Sequence, residues 1–115
     1  MTQPPGKALA LKNAAQDLRD SEEWAKAAQS FRYAADELPT CDDFDDERLR
    51  WSLWAVEAFD RSASTDEARR AMADFVVRQL EVLEAHASTL PDLPQLQAAR
   101  DRLQPTPIRR PPPPL

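Results

Sequence analysis

The residues most suggestive of chemistry are the acids of "CDDFDDE", residues 41–47. Asp42, Asp43 and Asp46 have a D-D-x-x-D spacing, which can gather carboxylate oxygens around a hard cation such as magnesium and so hold a diphosphate. A site of that kind also requires a large cavity between many helices and a second set of metal ligands, and the sequence offers neither. The run also lacks the glycine that supports the turn of a calcium loop. Acidic residues favour the positive end of a helix dipole. Together with Asp45 they form a patch suited to a basic partner, so Asp42, Asp43, Asp45 and Asp46 are read as a docking patch and not as a metal site.

The remaining reactive side chains are isolated. His86 is the sole histidine, and no motif supplies the partner that a general acid or base needs; cationic character near a helix C-terminus accounts for it. Cys41 is the sole cysteine, which rules out an internal disulfide and suits a reducing compartment. With Gly6 the only glycine, no phosphate-cradling loop can form. Neither enzymatic activity nor a cofactor is expected.

Composition narrows the class of partner. Lys and Arg number 15 against 20 Asp and Glu, a net charge of -5, so the chain lacks the overall basic character of a generic nucleic-acid binder. The opening "MTQPPGKALALK" has no long apolar core, and no apolar run approaches the length of a membrane span. A cytoplasmic protein engaging neither nucleic acid nor membrane is the expectation.

The elements that must position these groups are helices. The 11 prolines lie at the ends and at breaks, and the long Ala/Leu/Glu/Arg stretches between them hold none, which is the punctuation of an all-α protein. Its length of 115 residues fits one domain. Five helices are predicted, at about 7–19, 21–38, 45–62, 65–86 and 92–104. They lie between a short N-terminal tail, 1–6, and a proline-rich tail, 105–115.

In the first helix Leu11, Ala14, Ala15 and Leu18 share a face. Asp20 and Glu23 have the spacing of a capping box for the second, as Ser64 and Glu67 do for the fourth. The third carries apolar residues on more than one face, so neighbours should cover it on both sides. In the fourth, Met72, Val76, Leu80, Leu83, Ala87 and Leu90 follow at steps of three or four. Arg70, Asp74, Arg78 and Glu81 form its solvated stripe.

The segment "WAKAAQSFRYAADELP" is more specific than ordinary amphipathicity. Ala27, Phe31 and Ala34 make one ridge at helical spacing. Two methyl-sized residues let a neighbouring backbone approach to about 8–9 Å, and Phe31 fills the space between them. Trp24 is expected to cover the entry to this hairpin from within the core. Trp51 and Trp54, about 60° apart around the third helix, are also expected to pack inward.

This pattern resembles the second helix of a tetratricopeptide repeat, a helix–turn–helix unit of about 34 residues. The aromatic, small, aromatic, small and proline positions of that helix fall on Trp24, Ala27, Phe31, Ala34 and Pro39. The preceding helix is similar in size class, with Leu11, Ala14, Ala15 and Leu18 at the family's large and small positions. A second unit is carried by Trp51, Trp54, Ala55 and Ala58, then Ala68, Met72 and Phe75. Relative to a regular array it is displaced by roughly seven residues, most of them in "PTCDDFDDE". The resemblance covers residues 7 to about 85 and implies hairpins at 7–39 and 45–90, an acidic loop at 39–47 between them, and a capping helix at 92–104.

It also implies function. In this family the first helices line a groove that grips a peptide or helix, which places Lys12 and Gln16 on the binding face. Lys12 resembles the lysine of members that clamp a terminal carboxylate. Gln16 stands where those members have asparagine, and no third repeat supplies the other basic residues, so that particular clamp is not expected. The expected activity is that of a non-enzymatic adaptor or chaperone-like module binding another protein, a basic one if the acidic loop takes part. The alternative is a structural subunit in which the fourth helix self-associates and the basic proline tail, with Arg109 and Arg110, reaches the acidic loop of a neighbouring copy. That tail is expected to be extended polyproline II.

Overall fold

The computed structural model describes residues 3–63, 65–86 and 89–104. Among them are five α-helices and one 3-10 turn, with no strand: α1 Gly6–Asp20, α2 Trp24–Asp36, the turn Asp42–Phe44, α3 Asp45–Arg61, α4 Asp66–Ala85 and α5 Leu93–Leu103. The all-α class and the helix order follow the sequence reading. The proline tail, Ser64 and Ala87 lie outside the described residues.

The first turn differs from expectation at its chemistry. Glu23 N–H donates to Leu18 O at 2.9 Å and Glu22 N–H to Arg19 O at 2.9 Å, the paired bonds of a Schellman C-terminus. Glu22 sits at φ 60°, the left-handed position that glycine usually fills. Asp20 is thereby kept as the last residue of α1 and the predicted Asp20–Glu23 capping box does not form. Glu23 stands at the start of α2 without a side-chain cap. At α4 the cap is Thr65, whose Oγ1 accepts from Ala68 N–H at 3.1 Å.

The methyl-sized residues behave as the spacing requires. Ala27 and Ala34 are fully buried, as are Ala8 and Ala15 of α1. Ser30 shares a helical face with Ala27 and Ala34, and its hydroxyl donates across the interface to Leu11 O at 2.9 Å. A side chain as short as serine reaches the neighbouring main chain only where the two helices lie close. Ala14, expected in the core, is exposed, because α1 packs chiefly on α2 and buries only a narrow stripe.

Phe31 has a different target from the one its ridge suggests. Its ring is fully buried and meets Trp54 of α3, the ring centroids 5.6 Å apart, with the Arg19 guanidinium 5.8 Å from the Phe31 centroid. Phe31 therefore ties α2 to α3 and to the end of α1. Trp51 is 2 % exposed, as a core residue should be, but Trp54 and Trp24 are only half-buried. Trp24 lies under the Arg61 guanidinium at 5.0 Å, which shields one ring face at the mouth of the turn.

α2 is packed between α1 and α3. α3 buries Leu49, Trp51, Ala55, Val56, Ala58 and Phe59, on more than one face as expected for a central helix. α3 and α4 approach less closely than α1 and α2 do, because Trp51, Phe59, Met72 and Phe75, all buried, cannot admit the contact that alanine allows. α5 seals the far side, burying Leu93, Leu96, Ala99 and Leu103 and packing on both α4 and α3. Arg102 grips both carboxylate oxygens of Asp60 in α3, at 2.9 and 3.0 Å, a planar two-point pairing that fixes the register of α5.

Candidate functional site

Buried polar groups that the sequence reading did not single out hold the acidic segment in place. Arg48 in α3 is 2 % exposed. Its guanidinium donates to Leu38 O at 2.9 Å, Pro39 O at 2.8 Å and Ala35 O at 3.4 Å, and also to Gln79 Oε1. Ala35 O accepts from Leu38 N–H at 3.1 Å, whereas the carbonyls of Leu38 and Pro39 lie past the end of α2, so a cation there answers both these acceptors and the negative dipole end. Gln79 Nε2 passes the network on to Asp36 Oδ1 at 2.7 Å, and Asp36 Oδ2 accepts from Arg78 at 3.1 Å.

Burial pushes the Arg48 pKa down from its ordinary value, opposed by the charges of Asp45 and Asp36; an arginine still keeps its proton at neutral pH. The sequence signal was present. Arg48 lies four and seven residues before Ser52 and Ala55, on an otherwise apolar or small face, and Gln79 interrupts the Val76–Leu80 row.

The four aspartates of the patch do not share one environment. Asp42 and Asp43 lie in the 3-10 turn and Asp46 in the first turn of α3, all exposed. Asp45 is half-buried, with His86 Nδ1 at 2.9 and 3.0 Å from its two carboxylate oxygens. His86 thus links the end of α4 to the start of α3. Asp45 is an anchor of the acidic turn, and Asp42, Asp43 and Asp46 are the acids it presents to solvent. Among the described residues no group of three His, Cys, Asp or Glu side chains is placed to hold a metal ion. Cys41 is exposed beside them.

Lys12 and Gln16 are half-buried on α1. They are one turn apart and so share a face, and neither lines any of the three clefts described below.

One cleft, of about 220 Å³, runs along α3 and includes Asp46, Arg50, Leu53, Trp54, Leu90 and Asp92. Its floor is apolar, with Leu53, Trp54 and Leu90 half-buried, and its rim is charged. Trp54 is braced from within by Phe31 and by Arg19, whose guanidinium stands 5.4 Å from the Trp54 ring centroid. A second cleft of about 240 Å³ lies between α2 and the start of α4, walled by Ala28, Arg32, Phe59, Ala68 and Met72. A third, between α4 and α5, is lined by Glu81, Glu84, Arg100 and Asp101 without an aromatic residue. No described helix is long and apolar enough to cross a membrane.

The arrangement can hold an extended or helical segment by burying apolar groups on Leu53 and Trp54 while Asp46 and Asp92 answer its basic groups. Compared with known proteins, the chain matches no protein-family model, no curated sequence and no solved structure.

Proposed function

We propose that this chain is a non-enzymatic protein-interaction module built from tetratricopeptide-like helical hairpins, binding a peptide or helix of a partner protein. The observation that carries the reading is the α3 cleft, where a tryptophan braced from behind presents its half-exposed edge between charged groups. Aromatic anchors of that kind dominate protein interfaces. Asp46 supplies polar recognition on the cleft rim, and Lys12 and Gln16 on α1, with Asp42 and Asp43 on the acidic turn, offer polar contacts outside it. The tightly packed α1–α2 pair supports the comparison with repeat hairpins, and the more open α3–α4 pair fits the displaced second unit.

The reading of a self-associating subunit is weaker. The row Met72, Val76, Leu80 and Leu83 is buried inside the chain, so α4 has no apolar face left for a second copy.

Quantitative affinity capture tests the proposal. The full chain is compared with Trp54→Ala and with the triple variant Asp42→Asn, Asp43→Asn, Asp46→Asn over graded salt. One partner set should weaken in both variants and become salt-sensitive where the acids take part. Identical capture by all three proteins at every salt concentration would remove this face from the function.

A further inference from the structure

We infer that the α3 cleft is the docking site for the chain's own residues 105–115, "PTPIRRPPPPL", a segment outside the described residues. The inference rests on reading the cleft as a docking surface, and it adds a named occupant that competes there with any partner.

Three observations select this occupant. The first is reach. The loop residues that open α5 line the cleft, and α5, 11 residues long, carries the chain away by ~16 Å. Arg102 at the other end of α5 is clamped to Asp60, which follows Trp54 by about 9 Å along α3. α5 therefore runs in the same direction as α3, and a segment leaving Gln104 can return beside α3. Extended at ~3.1 Å per residue, it brings Pro107 and Ile108 to the level of Trp54, and Arg109 and Arg110 to the stretch between Trp54 and Arg50, from which their long side chains reach toward Asp46.

The second is chemistry. Proline-rich segments in polyproline II form dock on aromatic-lined grooves, and Trp54 is the aromatic residue of this cleft. Pro107 and Ile108 match its apolar floor. The third is charge. Asp46 and Asp92 on the rim, with exposed Asp42 and Asp43 in the turn just before Asp46, outnumber Arg50 of the lining and Arg19 against Trp54, whereas the tail carries Arg109 and Arg110. The α4–α5 groove begins at Gln104 and is also acidic, but it offers proline no ring to pack on.

The test uses the full chain at low concentration. Cys41→Ser removes the exposed thiol, and Pro112→Cys then carries a nitroxide whose proximity erases NMR signals. The expected result is loss of the Trp54 indole and Leu53 methyl signals when label and isotope are on the same molecule. Those signals should return when Arg109→Glu and Arg110→Glu are added, with unchanged helical circular dichroism showing that the fold is kept. A mixture of spin-labelled and isotope-labelled molecules should show no loss. Loss only in the mixture would assign the cleft to a neighbour's tail, loss at Val77 and Glu81 would assign the α4–α5 groove, and no loss anywhere would leave the cleft without the tail; each overturns the inference. No partner protein enters the experiment, so its failure leaves partner capture to be judged separately.

Discussion

Arg48 stands at the end of α2 with its guanidinium 2.9 Å from the carbonyl oxygen of Leu38. A charged side chain drawn from the first turn of one helix thus closes the C-terminus of another, where no glycine stands. The same guanidinium meets Pro39, the residue at which the acidic segment leaves α2. The position of Asp42, Asp43 and Asp46 therefore depends on a buried contact that none of them makes.

Arg48→Met keeps the bulk and removes the donors, leaving the buried Leu38 carbonyl and Gln79 Oε1, and the half-shielded Pro39 carbonyl, without that partner. Each unmet buried acceptor costs about 1–3 kcal/mol, so the total loss should be about 3 kcal/mol or more by urea denaturation. Arg48→Lys should recover little, because one ammonium cannot span a fan of acceptors. A loss under about 0.5 kcal/mol would show that the end of α2 is closed in another way.

The tryptophans should separate by burial. Trp51→Ala, at a position 2 % exposed, is expected to cost about 3–5 kcal/mol. Trp24→Ala should cost about 2 kcal/mol, since the ring is half-buried and part of its contact is with Arg61. Equal losses in chemical denaturation would contradict that order.

Ala27→Leu places three extra carbons in the face where Ser30 reaches α1. Overpacking of that kind costs about 1–3 kcal/mol, and the Ser30 hydroxyl should be pushed off Leu11 O. The check is thermal unfolding together with hydrogen exchange at the middle of α1. An unchanged melting temperature would mean that α1 and α2 are not held close.

Glu22→Gly should be stabilising. An L-residue in the left-handed region costs about 1–2 kcal/mol, partly offset by glycine's greater freedom in the unfolded chain. A net gain of about 0.5–1 kcal/mol corresponds to a melting temperature roughly 3–6 °C higher. A fall in stability would mean that the Glu22 side chain itself supports the turn.

The helices were legible because their signals are local. Proline placement and 3.6-residue periodicity marked five elements, with ends shifted by a few residues. Ala27, Ala34 and Ser30 show why the first hairpin is close-packed, although only the alanines were read from the sequence. The capping box at Asp20 was misplaced because the Schellman end of α1 takes the residues that would have formed it, and a left-handed glutamate has no composition signal.

Arg48 went unread for another reason. Its position on an otherwise apolar or small face is visible in the sequence, but what it answers is not, because the end of α2 and Gln79 of α4 converge on it only in the fold. The acidic patch was identifiable as a group, but the division between anchoring Asp45 and solvent-facing Asp42, Asp43 and Asp46 depends on His86, 41 residues away in sequence. The α3 cleft was equally hidden, since Leu90 and Asp92 complete it only through the chain's return to α3.

The docking face is tested most directly by photo-crosslinking. A benzoylphenylalanine is placed at Gln16 on α1 in one protein and at Arg70, on the exposed side of α4, in another. A partner adduct that forms at position 16, is absent at position 70, and is lost on adding Trp54→Ala is the expected result. Equal yields at the two positions, or an adduct at position 70 alone, would contradict a binding face made by α1 and α3.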